Sequence, residues 1–339
     1  MSTKGKEKVS IIMPSYNGEK FLKFSIEGIR NQTYTNFELI IINDGSTDKT
    51  DTICRDYCKI DRRIIYLSQK NKGVSQARNY GLEKASGNFI TFVDSDDIIH
   101  PRFLEILIEA INDNRKDIAG CFFTKTRLEN FKIQFKKVQY KKESIIISGI
   151  SLLKLLLGPS SSKNNNLFPV DTVWGKLYKR NILIGEKFNS LHSEDIEYNS
   201  RVYNKINDMV IVPETLYWWI QREESAHRII TSNMADHILC AVQIVENFYL
   251  NESPGRTLAL KRLILNLLSA RYNVKNFIIY NSSKNNTLKL IKNTMKKYKK
   301  EFILNNNISL YFRIGSFILY YFPFTYSLLR KLLAFKNRC

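Results

Sequence analysis

Short apolar runs alternate with amphipathic stretches through the first third of the chain. Val9–Met13, Phe37–Ile42, Ile64–Ser68, Phe89–Val93 and Asp117–Phe123 are rich in Ile, Val and Phe. Runs of this length and composition predict strands buried on both faces. Between them, Glu19–Arg30, Thr47–Cys58, Val74–Ala85 and Arg102–Asn112 carry apolar residues at helical spacing. Strands alternating with helices in this way predict an α/β fold, a mostly parallel sheet covered by helices.

The rhythm changes near Thr124. Lys125–Tyr140 reads as a charged hairpin or a pair of edge strands, Ile150–Leu157 as a helix, and Pro159–Asn166 as a polar loop. Asp171–Arg180 follows without a clear period, and Glu194–Asn204 has a helical one. Beyond about Ser225 the chain is helical and basic, so a domain boundary is expected near residue 228. No internal repeat is visible.

Charge sharpens this division. The net charge is +20, and residues 231–339 carry 17 Lys and Arg against 4 Asp and Glu. Such a surface seeks polyanions, although solubility alone also explains it. The last stretch, Ile308–Phe335, has no charge across residues 314–329, an interval of 16. A spanning helix needs about 20 apolar residues, and Pro323 interrupts this one. Flanked by Arg330, Lys331, Lys336, Arg338 and the lysines of 292–300, it suggests an interfacial anchor on anionic lipid. A helix packed on the catalytic domain or on a second copy of the chain is the alternative.

The five cysteines form no framework: Cys54 and Cys58 are four apart on an expected helix, Cys121 and Cys240 read as buried thiols, and Cys339 is terminal. Residues 1–6 lead into a strand without an apolar leader, so a cytoplasmic location is expected. The Lys, Asn and Ile content is compatible with a low-GC bacterium.

The densest chemistry lies at Phe92-Val93-Asp94-Ser95-Asp96-Asp97, where acids follow directly on a strand. Ligands of open parallel sheets bind beyond the carboxyl ends of strands. Carboxylates crowded there repel unless a cation joins them, and oxygen-only ligands suit Mg²⁺ or Mn²⁺. A turn that caps the next helix is the structural alternative. Other strand ends carry Pro14-Ser15-Tyr16-Asn17-Gly18, Asn43-Asp44-Gly45-Ser46-Thr47-Asp48 and Asn71-Lys72-Gly73 with Ser75, Ala77, Arg78 and Asn79. Asp44 offers an acceptor for a base or ribose, Ser46 or Thr47 a helix cap, and Arg78 a fork for a carboxylate or diphosphate. An Asp-Gly turn and a structural ion pair are the plain readings. Farther on, His192-Ser193-Glu194-Asp195 opens a helix with acids that either serve as a base or offset the helix dipole. His100 either approaches a metal or sits at the surface. Trp218 and Trp219 either stack on a sugar or end a buried strand.

Together with Trp174-Gly175-Lys176-Leu177-Tyr178 and Leu216-Tyr217 through Gln221-Arg222-Glu223, these motifs resemble glycosyltransferase family 2, over roughly residues 7–225. That resemblance implies a GT-A fold, Rossmann-like, with a nucleotide-sugar half at about 7–123, an acceptor half at 124–228, and a basic helical region at 229–339. It implies an inverting transfer from a nucleotide-diphosphate sugar, typically a uridine diphosphate sugar, with Mn²⁺ or Mg²⁺. Pro14, Tyr16 and Asp44 would line the base and ribose, with Asn17, Ser46, Gly73 and Ser95 also binding the nucleotide sugar. Arg78 would lie near the nucleotide and Asp94 beside ribose and metal. Asp96 would be the principal metal ligand. Asp195 would be the general base, Glu194 would support the acceptor, and Arg222, with His227 nearby, would face the diphosphate. Gly175 departs from the family, where Asn often follows the Trp.

The expected acceptor is a glycan, a lipid-linked sugar or a protein-linked one, in bacterial capsule, cell-surface polysaccharide or glycoprotein glycan assembly. The enzyme would then sit on the inner face of the membrane. No nucleic-acid module is present. A sugar nucleotidyltransferase would want a Gly-rich loop with Arg or Lys after the first strand, where Pro14-Ser15-Tyr16-Asn17 stands instead. A non-catalytic polyanion-binding or membrane-surface protein is the remaining rival.

Overall fold

A computed structural model of the chain describes residues 7–127, 143–158, 168–190, 193–221, 234–248, 254–276 and 281–321. The expectations for Lys125–Tyr140 from residue 128 on, for Pro159–Asn166, and for His192, Arg222 and His227 lie outside the described residues. So do Pro323 and the basic residues from Arg330 onward.

The chain divides into two compact units. The first comprises residues 1–152, 162–190 and 194–225. Its elements begin β1 (Val9–Ser15), α1 (Leu22–Arg30), β2 (Phe37–Asp44), α2 (Thr50–Ile60), β3 (Ile64–Gln69), α3 (Val74–Lys84) and β4 (Phe89–Phe92). They continue with β5 (Ile98–Ile99), α4 (Phe103–Asn114), β6 (Ile118–Thr126), β7 (Ile145–Ser148) and α5 (Gly149–Leu157), which ends beyond the unit. β8 (Lys176–Lys179), α6 (Glu194–Lys205) and β9 (Asp208–Ile220) complete it.

The strands form one sheet in the order β3-β2-β1-β4-β8-β6-β9-β5, with β7 also on β9. The first four are parallel, as the alternation of apolar runs predicts. β8 then runs antiparallel between β4 and β6, so the sheet is mixed. Every residue of β1 and β2 is buried, because helices cover both faces. α1 buries Leu22, Ser25, Ile26 and Ile29, one stripe of its surface. α3 lies close on the sheet: a Cβ at Gly81 would come within 2.5 Å of Ile12 Cγ2.

β9 is the element the apolar pattern does not announce. Pro213 breaks its period, and a proline argues against a central strand. The register slips there instead: Cys121 pairs with Val212 and Phe122 with Thr215, so Pro213 and Glu214 form a bulge. Lys176, a charged residue, similarly disguises β8.

The second unit comprises residues 153–161, 191–193 and 226–339. It contains α7 (Met234–Asn247), α8 (Pro254–Asn276), α9 (Asn281–Leu304) and α10 (Leu310–Tyr321). Ile238 and Ile244 of α7, Leu260 and Leu267 of α8, and Met295 and Phe302 of α9 are buried. Arg256 of α8 binds Glu301 of α9 at 2.7 Å. Among the described residues no helix is long and apolar enough to cross a membrane.

Candidate active site

β2 and β3 lie on one side of β1, and β4 on the other. The strand order therefore reverses between β1 and β4, the point at whose carboxyl ends open α/β sheets place their ligands. The ladder to β4 ends at Ile12↔Phe92, while Pro14 still pairs with Ile42 of β2. Proline has no N–H to leave unpaired, so it suits the point where the two strands part. Beyond it, Tyr16 is 50% exposed. Asn17 is left-handed at φ 49°. It donates its N–H to Ser46 Oγ at 2.9 Å and accepts from Thr47 N at 2.9 Å. Ser46 and Thr47 thus join two strand-end loops and do not cap α2, which begins later, at Thr50; Asp48 accepts the Thr50 N–H at 3.0 Å.

Asp44 is buried, and both oxygens serve the loop after β3. It accepts from Gln69 Nε2 at 2.7 Å, Lys72 N at 2.8 Å and Gly73 N at 2.8 Å. Gly73 has φ 86°, a conformation that suits glycine.

The acidic turn after β4 separates its carboxylates. Asp97 is buried, accepting from Tyr217 Oη at 2.7 Å and Ile220 N at 2.9 Å. Burial and the neighbouring Asp96 and Asp94 charges raise its pKa well above the usual carboxylate range. Asp94 and Asp96 stay partly exposed. Ser95 is buried and its carbonyl accepts from Ser25 Oγ at 2.9 Å. Tyr217 Oη also receives the Asp94 N–H at 3.4 Å, so one hydroxyl from β9 braces both ends of the turn. The sequence marks Tyr217 only as part of a motif, because this role needs the fold.

Arg78 of α3 joins the turn to α6. Its Nη1 donates to Glu194 at 2.8 Å and to Asp195 at 2.7 Å, and its Nη2 to Asp94 at 3.2 Å. Its side chain is only 4% exposed. Burial alone would lower the guanidinium pKa, but Asp195, Asp94 and Glu194 raise it. Asp195 also accepts the Val173 N–H at 3.2 Å. Its carboxyl is pushed up to about 7 by burial, against Arg78 and with help from Glu194 and Asp94. One cation faces three acids, leaving an excess of negative charge.

The segment before β8 holds Asp195 from the other side. Its carbonyls point at side-chain donors. Lys176 Nζ donates to Pro169 O and to Thr172 O, the latter at 2.5 Å. Asn199 Nδ2 donates to Thr172 O at 2.8 Å, and Tyr203 Oη to Val170 O at 2.8 Å. Lys176 is fully buried, and burial lowers its ammonium pKa to about 7. Sequence reasoning gives Lys176 no role. A lysine in an apolar strand is the signal for one. Gly175 has φ 69°, which also explains its departure, since asparagine and glycine both tolerate this region.

Trp174 stacks on Tyr217 with ring centroids 4.5 Å apart. Trp218 and Trp219 are half-buried residues of β9, which favours the strand reading. His100 is not a surface residue. It is 4% exposed, stacks on Trp218, and its Nδ1 accepts the Arg102 N–H at 3.0 Å.

Asp94 and Asp96 fit a hard divalent cation by donor chemistry. Mg²⁺ commonly binds through one or two carboxylates plus substrate phosphates and water. Among the described residues no group of three His, Cys, Asp or Glu side chains gathers to hold a metal.

A helix-covered, mainly parallel sheet with an Asp-x-Asp turn at its switch point defines a GT-A fold. The family described as "Glycosyl transferase family 2" matches residues 10–183, and the chain belongs to it. It is 34% identical over 228 residues to "Glycosyltransferase GlyA" of Streptococcus pneumoniae serotype 4, covering 66% of this chain and 32% of GlyA. It is 31% identical over 231 residues to "Glycosyltransferase GlyG" of the same organism, covering 66% of this chain and 73% of GlyG. The chain thus spans about a third of the length of one relative and nearly three quarters of the other. S. aureus TarS 1–349, solved in complex with UDP-GlcNAc, is similar in fold, with a TM-score of 0.62 and 19% identity. That match covers 91% of this chain and 89% of the TarS fragment.

Proposed function

We propose that this chain transfers a sugar from a nucleoside diphosphate sugar, a uridine diphosphate sugar first among them, to a hydroxyl of a glycan, lipid-linked or protein-linked acceptor. The observation that carries the reading is the Arg78 bridge, which gathers Asp94, Glu194 and Asp195 at the switch point. The TarS complex with UDP-GlcNAc supports a uridine nucleotide donor through its shared fold.

On this reading the exposed ring of Tyr16 stacks on the base, and the loops built by Asn17, Asp44, Ser46 and Gly73 enclose the nucleoside. Asp94 and Asp96 would hold Mn²⁺ or Mg²⁺, which when bound supplies positive charge against the departing diphosphate. Asp195 takes the proton of the acceptor hydroxyl as its oxygen bonds to the anomeric carbon and the bond to the diphosphate breaks. A single displacement inverts that centre. Glu194 accepts a hydrogen bond from the acceptor. A base whose pKa lies near 7 is ionised often enough at neutral pH and still basic enough to take a proton.

The setting proposed is assembly of bacterial capsule, cell-surface polysaccharide or a glycoprotein glycan, on the inner face of the membrane. The basic excess of residues 231–339 supports peripheral placement on an anionic surface.

Thermal melts with uridine diphosphate and Mn²⁺ test the reading, together with a screen of nucleotide sugars for metal-dependent release of the diphosphate. Joint stabilisation, absent with either component alone, is expected. No stabilisation and no turnover across the panel would remove it. Turnover of UTP with a sugar phosphate would instead favour a nucleotidyltransferase.

A further inference from the structure

We propose that α9 and α10 form one lysine-bordered apolar face that seats on an anionic lipid bilayer. This deepens the peripheral placement proposed above and rests on it. On α10, Leu310, Ile314, Phe317 and Tyr321 are 66%, 46%, 42% and 45% exposed. Their spacing is that of one helical stripe, and Tyr311 widens it at 52%. The opposite side of α10 buries Gly315, Ser316 and Leu319 within its own unit. A stripe this large is unusual on a surface facing only water.

α9 presents a different stripe. Lys289, Lys292, Lys296 and Lys300 recur at helical spacing and are exposed, while Ile291, Met295, Tyr298 and Phe302 turn inward. The two stripes lie side by side, because the helices meet along one flank of each. Arg313 Nε of α10 donates to Ile303 O of α9 at 2.7 Å. Lys299 Nζ of α9 lies 4.6 Å from the ring centre of Tyr320 and 4.7 Å from that of Tyr321. These contacts join α10 to α9, while the lysines of α9 and Leu310, Ile314 and Phe317 of α10 stay exposed.

That combination selects lipid among anionic partners. A nucleic acid would meet the lysines but leave the aliphatic and aromatic stripe in water. An interfacial helix buries such a stripe among acyl chains while cations meet anionic headgroups. Tyrosine at the end of the stripe suits the boundary, since its ring is apolar and its hydroxyl polar. α10 has 12 residues, too short to span a bilayer but long enough to lie in its plane.

The full chain should co-sediment with vesicles of phosphatidylcholine and phosphatidylglycerol, and remain in the supernatant with phosphatidylcholine alone. Ile314→Glu with Phe317→Glu should lower partitioning at least about tenfold, and so should Lys292→Glu with Lys296→Glu and Lys300→Glu. Both variants should release uridine diphosphate in solution at the unaltered rate, so failure here is separable from failure of the transferase reading. Wild-type protein that stays in the supernatant, or variants that bind undiminished, would overturn the proposal. So would a dimer in vesicle-free solution that Ile314→Glu dissociates while vesicle binding is absent, because the face would then belong to a second copy.

Discussion

Asp195 lies 2.7 Å from Nη1 of Arg78, across 117 residues of sequence. The same nitrogen reaches Glu194, and its neighbour reaches Asp94. One buried cation therefore fixes the first turn of α6 against the acidic turn after β4. Positioned in this way, the proposed base and Asp94 cannot drift apart without breaking an ion pair inside the protein. Local structure supplies each acid, and the fold supplies their proximity.

Removing that cation leaves its carboxylates facing one another. Arg78→Met should destabilise the fold by about 3–5 kcal/mol, the usual result of deleting one partner of a buried ion pair. Arg78→Lys keeps a charge but not the fork that serves several acids at once. It should retain more stability and lose at least about tenfold in kcat, because orientation suffers first. Urea denaturation and transfer assays read the two effects. An Arg78→Met protein as stable as wild type would show that the cluster contributes no support.

The raised pKa of Asp195 sets the pH dependence. A general base must be ionised, so kcat/KM should climb as pH rises through about 7. Glu194 contributes to the upward shift by repulsion, so Glu194→Gln should move this limb to lower pH. Asp195→Asn should lower kcat by about 10²–10⁴ while uridine diphosphate binding persists. A profile unchanged by Glu194→Gln would detach the limb from Asp195.

Much of the catalytic unit is legible in residue order. The parallel strands β1 to β4 appear as unbroken apolar runs, and the chemistry stands where each run stops. Asp94, Asp96 and Arg78 can be singled out from such positions, whereas Glu194 and Asp195 open a helix and take their roles only from the family resemblance. Their mutual contacts cannot, because α3 and the start of α6 are far apart in sequence and meet only in the fold. Asp97 illustrates the limit: beside two accessible acids it looks equivalent, yet β9 turns it into the core through Tyr217 and Ile220. β9 itself is hidden by Pro213, which is harmless at a bulge and misleading in a linear pattern. The buried Lys176 and His100 resist the reading because charge and polarity usually signal exposure.

Asp96 and Asp97 should therefore respond differently to mutation. Asp96→Ala should leave the melting temperature close to wild type and abolish the joint stabilisation by uridine diphosphate and Mn²⁺. Tyr217→Phe removes the hydroxyl that serves Asp97 and the Asp94 amide, at a cost of about 1–3 kcal/mol for the stranded group. It should weaken nucleotide binding only as far as the turn loosens. Persistence of the joint effect in Asp96→Ala would discredit that residue as a metal ligand.

Gly175 offers a conformational test. Its φ of 69° suits glycine or asparagine and penalises a β-branched side chain. Gly175→Asn should fold and retain activity, whereas Gly175→Val should melt lower. A Cβ there would come within 3.2 Å of Pro169 Cγ, the residue whose carbonyl Lys176 holds. Equal stability of the two variants would remove backbone conformation as the constraint.

Lys176 carries the last expectation, because it touches no reacting group and yet should govern turnover. Its ammonium satisfies Pro169 O and Thr172 O, and thereby shapes the segment whose Val173 N–H holds Asp195. Lys176→Met strands the Pro169 carbonyl and leaves Thr172 O to Asn199 alone, costing about 1–3 kcal/mol for the stranded group if water cannot reach it. The base should then lose its second anchor, so kcat should fall about tenfold or more while the KM for the donor stays near wild type. Linkage provides an independent readout. The folded pKa of about 7 lies below the ordinary lysine value of 10.5, so the unfolded chain binds more protons between them. Lys176 should therefore make stability rise with pH across that window, and Lys176→Met should flatten the rise. A variant with unchanged kcat and an unchanged stability slope would show that the buried lysine fills space and does nothing to hold the base.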